Sequence, residues 1–560
     1  MTLPDKPAQS IARRLADGFV VHTLQQDQTS HVIVAAGQSV VIDWHTPTLL
    51  RWIDRRNLPR PSLVLHTHVQ PEHCRQGGVI THDKHGHKHE HAIRTLVPTG
   101  SRDLAEHNDA YLRDAAPLWD DPAAWPVTMG EERYGVAGSV TMMPPTPGIR
   151  VDGEVAPGEV IEHAGLAFHV IDLKGHGKHS VGYLIKQADV PLAVFTGDFF
   201  RDGACLVNVY DLETTYGGTC LDDMPNRLRQ LADNLDAWQL TTCFPATGQP
   251  IDNAPAQARE IATKIDAYFA AAKWSPADYK APPKPPADVV EATRGRYVRR
   301  APGVYQITTG GNCILFIDDR GRGMMVDPGP CEFESKTRVA DFIADLEAFE
   351  QTAGLKSIDL ILITHVHGDH YDLAPQVIDR YPSCRVAAWD LVARVIEAPW
   401  DYPYPALLPW YDLGFDHLPI DDILSDQSPY HWHDIAIETE HLPGHCYCHA
   451  AHILTFAGQR IALTGDTIQS NGGAGGIGYI IANHSVPDDK AGFLRAYRNM
   501  AKHPVDLNIG GHGSCFTQPN AQYNASIQRI EHATPYLQAL IPGGDLKRAF
   551  LRPWFPRLDV

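Results

Sequence analysis

The sequence lacks the signals of a membrane-spanning, secreted or nucleic-acid-binding chain. No window approaches the apolar run needed to cross a bilayer. The opening stretch, MTLPDKPAQSIARRLADGF, has no apolar centre of the kind a secretory leader needs. Positive charge is in deficit: the formal net charge is −19, which disfavours a nucleic-acid backbone or an anionic membrane as the main partner. The ten cysteines include no C-x-x-C pair, and only Cys446 and Cys448 are near neighbours. Free thiols in a reducing cytoplasm are the expectation. These absences leave a cytoplasmic protein as the expectation, with neither nucleic acid nor membrane as its main partner. No Ser-His-Asp arrangement is evident.

What the chain has in abundance is histidine, 30 among 560 residues, and the histidines cluster. The length allows several domains and a large core. Apolar content of 43% and charged content of 21% are ordinary for a globular protein. One composition shift divides the chain. SPADYKAPPKPPADVV (275–290) is rich in Pro, Ala and Lys without apolar periodicity, and reads as a linker between a domain at 1–274 and another at 291–560.

In the second half, IDLILIT (358–364) has the continuous apolar, branched character of a strand buried on both faces. It runs into HVHGDH (365–370), and YDLAPQVIDRY then takes helical spacing. The polar cluster thus sits at the carboxyl end of a buried strand, where open α/β sheets place their sites. His365 and His367 can face one metal from the same side, and Asp369 and His370, displaced onto the turn, a second. Imidazole with carboxylate suits zinc, and also iron or manganese. Three further signals follow: His445 in HLPGHCYCH, Asp466 in RIALTGDT and His512 in LNIGGHGS.

In that order these residues resemble the metallo-β-lactamase superfamily, whose pattern is H-x-H-x-D-H, a His, a bridging Asp and a final His. The resemblance takes in GVYQITTGGNCILFIDDRGRGMMVDPG (303–329) upstream, which is similar to the family's opening strands and Asp-Pro-Gly turn. It implies an α/β fold, the αββα sandwich, and, if the first half repeats it, two such domains in tandem. It implies one metal on His365, His367 and His445, another on Asp369, His370 and His512, and Asp466 between them. Two zinc ions so placed would lower the pKa of a shared water and polarise a substrate oxygen, with Asp369 orienting the water and carrying protons. The implied function is hydrolysis of a small ester, thioester, lactone or amide. Neither a β-CASP insertion nor the C-terminal pattern of glyoxalase II is present. The alternative within the superfamily is an iron-dependent oxidoreductase or oxygenase, which histidines at 367 and 445 disfavour. A binding protein without activity is disfavoured by the complete ligand set.

The first half reads as a worn copy of the second. PSLVLHTH (61–68) parallels IDLILITHVH, KGHGKHSVGYLI (174–185) sets His176 against His445, and PLAVFTGDFF (191–200) sets Asp198 against Asp466. With His66 opposite His365, "HTHVQPEH" carries two extra residues before Glu72 and His73, and Thr247 falls near the place of His512. The candidate first-half metal set is then His66, His68, His176 and Asp198. Three readings fit: a metal-free scaffold, which is preferred, a single-metal site, or a two-metal site using Glu72 and His73. The insertion THDKHGHKHEH (81–91) reads as an exposed polar loop in preference to a metal-gathering flap. Cys446 and Cys448 read as buried thiols. Tyr371, Tyr447, Asn483 and His484 serve equally well as substrate contacts or as packing and capping. A homodimer and a monomer with its two copies paired both fit the length.

Overall fold

The structure is a computed structural model. It describes residues 9–16, 18–25, 29–46, 48–69, 74, 93–107, 148–177, 179–207, 223–308, 313–329, 337–398, 415, 417–468, 480, 481, 489 and 492–541. The His-rich segment 81–91, Glu72, His73, Asn483 and His484 lie outside these residues.

The chain divides into two compact units, with the boundary between Phe269 and Ala270. The segment 275–290, read as a linker, groups with the second unit, where Asp288–Val289 pairs antiparallel with Tyr297–Ala301. The helix Asn520–Leu540 belongs to the second unit up to Pro535. Its last turn, from Tyr536, groups with the first unit, where the Leu206 N–H donates to Leu540 O at 2.9 Å.

Each unit is built on two sheets. In the first, the strands Gln9–Ala16, Phe19–Gln25, Thr29–Ala35 and Gln38–Ile42 run antiparallel, and Pro61–Leu65, Arg94–Pro98 and Gly153–Val155 continue the sheet in parallel. The second sheet lies in the order Ile251–Asp252, Thr242–Pro245, Val190–Gly197, Val181–Gln187, Leu166–Asp172, Val160–His163. Side chains alternate along a strand, so one face of each sheet can be apolar. Val21, Ile33, Ile42 and Leu65 from the first sheet meet Phe168, Tyr183, Phe195 and Phe244 from the second in one buried core. The opposite face of the first sheet carries Val32, Val41 and Val64, covered by Leu49 and Ile53 of the helix Leu49–Arg55.

The second unit repeats the plan. Tyr297–Ala301, Val304–Ile307, Ile314–Ile317 and Arg322–Val326 run antiparallel, and Ser357–Ile363, Arg385–Trp389 and Asp422–Leu424 add in parallel. Its second sheet is Tyr430–Trp432, Ile435–His441, Ala450–Phe456, Gln459–Leu463, Leu507–Ile509 and Cys515–Thr517. Phe316, Val326 and Leu362 pack against Ile437, Leu454 and Leu463. Outside that core, Phe349 of the helix Arg338–Thr352 sits edge-on to Tyr297. The mixed α/β sandwich expected from the sequence is the fold observed.

Candidate metal centre

The strand Ser357–Ile363 ends at the site, and the next residue anchors it. Asp327, which follows the strand Arg322–Val326, is buried and left-handed (φ 49°), a conformation that Asp tolerates better than most residues. Its carboxylate accepts the Thr364 N–H at 2.8 Å and the Thr364 hydroxyl at 2.7 Å. The Thr364 hydroxyl has only one proton, and Asp327 takes it. At the 3.1 Å contact between Thr364 Oγ1 and His365 Nδ1 the imidazole must therefore donate, which leaves Nε2 of His365 bare. That Nε2 is buried and has no hydrogen-bond partner. Asp327 also accepts from Nδ1 of His370 at 3.0 Å, turning Nε2 of His370 toward Asp466 Oδ1, 3.5 Å away.

The other elements bring their side chains to the same place. The His445 N–H donates to Thr467 Oγ1 at 2.9 Å, which fixes the Pro-Gly turn to the strand end that carries Asp466. Gly465 must be glycine, because a Cβ there would lie 2.6 Å from Thr364 Oγ1. Gly329 is tighter still, since its Cβ would lie 1.4 Å from Asp369 O.

Two groups of metal-competent side chains result. His365, His367 and His445 offer ligand atoms all within 4.8 Å of one another, and so do Asp369, His370, Asp466 and His512. Asp466 reaches across both groups. Its Oδ2 stands 3.1 Å from His512 Nε2 and 3.7 Å from His445 Nε2. Asp369 Oδ2 lies 3.3 Å from His512 Nε2. All are buried except His512, whose side chain is 42% exposed and marks the open side.

The electrostatics divide the same way. Burial, reinforced by His370, holds His365 well below the usual imidazole range, and burial brings His445 down to about 4. Both are neutral imidazoles, the form that ligates. His370 and His512 run the other way. Against the cost of burial, Asp369 and Asp466 raise His370 to about 10, and Asp466 with Asp369 raises His512 well above its ordinary value. Asp466 is held well below the usual carboxylate range, burial being outweighed by His512 and His370. Protons thus occupy positions where a cation could balance the carboxylates. With the orphaned Nε2 of His365, that is a donor set fitted to metal ions.

The residue pattern matches the family model described as the metallo-beta-lactamase superfamily over residues 307–512. Residues 307–512 form a metallo-beta-lactamase superfamily domain. Solved structures similar to the chain include a Cronobacter sakazakii metallo-beta-lactamase with a HARLDQ motif (17% identity, 45% of this chain and 99% of that one, TM-score 0.31). A beta-lactamase from Chitinophaga pinensis gives 15% identity, 44% and 94% coverage, and a TM-score of 0.32. A metallo-beta-lactamase family protein from Thermus thermophilus gives 16%, 46%, 83% and 0.33. No curated protein matches the chain.

Around the metal-competent residues, Tyr371 is fully buried with its ring near Phe415, a packing position. Tyr447 is half-buried, and its carbonyl contacts Nε2 of His441 at 2.9 Å. Cys446 and Cys448 are fully buried, and burial pushes the Cys448 thiol far up. The described cysteines are thiols, with no disulfide among them. His449, which no sequence pattern singled out, stacks on His365 at 4.5 Å and accepts the Asp466 N–H at 3.2 Å. Among the described residues no helix is long and apolar enough to cross a membrane.

The first unit repeats the anchoring hydrogen bonds and thereby fixes its own alignment with the second. Asp43 is buried and left-handed (φ 54°), and its carboxylate accepts the Thr67 N–H and the Thr67 hydroxyl, each at 2.8 Å. Thr67 is therefore the counterpart of Thr364. Two other bonds agree. The Val181 N–H donates to Thr67 O as Ala450 donates to Thr364 O. Tyr183 OH donates to His66 O, where His452 Nε2 meets Ile363 O. His68 then stands for His365, and His66 stands for Ile363, which is not a ligand position. The register that set His66 against His365 is two residues off, and "HTHVQPEH" has no extra residues. Accordingly His68, His176 and Asp198 form the first unit's metal-competent group among the described residues, and His66 is not in it. The His66 ring instead neighbours Asp43 at 4.0 Å and Cys74 at 3.8 Å. Thr247 does fall opposite His512, because the Ala246 N–H donates to Gly197 O as Gly511 donates to Gly465 O.

Proposed function

We propose that the second unit is a binuclear zinc hydrolase acting on a small ester, thioester, lactone or amide. The observation that supports it most is Asp466, a buried carboxylate within 3.1–3.7 Å of His512, His370 and His445, joining an all-imidazole group to a carboxylate-rich one. Two divalent cations held there would supply an acidified water and a polarised acceptor oxygen. His365, His367 and His445 would hold one, Asp369, His370 and His512 the other, with Asp466 shared. The chain's own residues supply order and proton handling. Thr364 and Asp327 lock His365 and His370 in their ligating tautomers. Asp369 is the catalytic residue of the reading: its carboxylate would orient a nucleophilic water and receive its proton. His512, on the open side, faces incoming substrate. Separate domains on either side of the boundary at Phe269 and Ala270 and a reducing, cytoplasmic location belong to the same proposal, the latter supported by the buried thiols.

The test is to strip the full-length protein with a chelator, restore it with zinc, iron or manganese separately, and assay a panel of thioesters, lactones and amides. Zinc should restore hydrolysis without oxygen. Restoration by iron alone, with oxygen consumed, would replace hydrolase by oxidoreductase.

A further inference from the structure

We propose that the first unit holds its own metal site, a single divalent transition-metal ion on His68 Nε2, His176 and Asp198, and that this site is mononuclear by construction.

The first support is a tautomer fixed by hydrogen bonds. Thr67 gives its one hydroxyl proton to Asp43, so at the 2.9 Å contact between Thr67 Oγ1 and His68 Nδ1 the imidazole donates. His68 Nε2 then carries the lone pair and faces Asp198. Orientation by a carboxylate-backed partner of this kind is how ligating histidines are held.

The second support is distance. Asp198 Oδ2 lies 3.8 Å from His68 Nε2 and 3.9 Å from His176 Nε2, and the two rings meet edge to face at 5.2 Å. Those separations are too long for hydrogen bonds. They are close to the edges of a coordination polyhedron, about 3.4 Å for ligands at about 2.1 Å from a tetrahedral centre. An ion would draw the three groups in by a few tenths of an ångström. The side chains are 2–5% exposed, so the carboxylate has little water to stabilise its charge. Two neutral nitrogens and one carboxylate suit zinc, iron or manganese, and leave positions open for water or a substrate atom.

The third support concerns the second ion that is not accommodated. Aligned through Asp43 and Asp327, His45 takes the place of Gly329. The close approach between Gly329 and Asp369, where a Cβ would lie 1.4 Å from the carbonyl, cannot be repeated around a histidine. His45 is buried, with Nδ1 2.7 Å from Ser30 Oγ. Thr247 replaces His512, and, counting along the sequence from His68, Gln70 replaces His367. The first ion thus keeps the counterparts of His365, His445 and the shared Asp466; the second keeps Glu72 and His73 opposite Asp369 and His370 in the sequence, but loses His512 and the room beside Gly329.

The experiment compares metal-stripped, full-length wild type with His176→Gln, Asp198→Asn and His66→Ala. Each is titrated with Co(II), followed by visible absorption and by metal analysis after desalting. Comparing variants cancels any binding by the segment 81–91. His176→Gln and Asp198→Asn should each bind one Co(II) fewer than wild type, while His66→Ala binds the same number. Retention of the remaining equivalents shows that the rest of the protein is folded. Should a ligand variant fail to fold, Thr67→Val serves instead, with affinity for that one equivalent expected to fall about 10–100-fold. An unchanged count in the ligand variants, a loss of two equivalents, or a loss in His66→Ala would each overturn the proposal.

Discussion

The two units share an anchor and differ in what they hang on it. In each, a left-handed buried Asp takes both protons of the Thr at the end of the central strand, and a Gly-Asp turn presses onto that Thr. Hydrogen bonds to an ionised carboxylate contribute about 1.5–3 kcal/mol each, so the clasp is worth keeping for the fold alone. Beyond it the second unit has Gly329, His367 and His512, and the first has His45, Gln70 and Thr247. The comparison separates residues that hold the loop in place from residues that are metal-competent. Asp43, Thr67 and Gly197 belong to the former in the first unit as Asp327, Thr364 and Gly465 do in the second. A metal-competent side chain can be lost singly, whereas the clasp ties together the ends of two paired strands.

The strongest way to break that comparison is at the shared carboxylate. Asp466→Ala and His367→Ala should each lower hydrolysis to background and remove metal from the second unit, while leaving the first unit's equivalent in place. Turnover and metal analysis on the same samples check both halves of the statement. Gly329→Ala comes next. Its Cβ has no room beside Asp369, and overpacking of this kind costs about 1–3 kcal/mol, so denaturant melts should shift and the second group of ligands should loosen. His45→Gly in the first unit removes the obstruction without restoring Gln70 or Thr247, so no additional metal should bind. Smaller is Thr364→Val, which leaves every ligand in place but frees the His365 tautomer. Metal affinity of the second unit should fall about 10–100-fold, read by competition with a chromogenic chelator. Smallest is His66→Ala, with metal content and activity unchanged, because the residue occupies the position of Ile363. A loss matching His367→Ala would put His66 back among the ligands.

Much of the second unit was legible in the sequence because its metal-competent side chains sit in short, ordered motifs. A continuous apolar strand followed by HVHGDH, and then Gly-His, Gly-Asp and Gly-His at strand ends, carries its chemistry on the surface of the text. The first unit was legible in its outline, down to Thr247, but was misaligned by two residues. The reason is geometric. Side chains alternate along a strand with a period of two, so a slip of two leaves every residue on its original face, and apolar pattern cannot detect it. His66 and His68 mimic the spacing of His365 and His367 well enough to attract the wrong alignment. The bonds that fix it, Thr67 to Asp43 and Val181 to Thr67 among them, join residues far apart in the sequence. The roles of Gly329 and His449 were equally hidden, because each is a statement about space: one about room beside a carbonyl, the other about a ring stacked on His365.

The most direct test of the whole account is anomalous diffraction from zinc-loaded crystals of the full-length chain, measured on either side of the zinc edge. Two peaks about 3.5–4 Å apart should lie among His365, His367, His445, Asp369, His370, Asp466 and His512. A single peak should lie against His68, His176 and Asp198. One peak in the second unit, or a pair in the first, would contradict the division of labour between the two units.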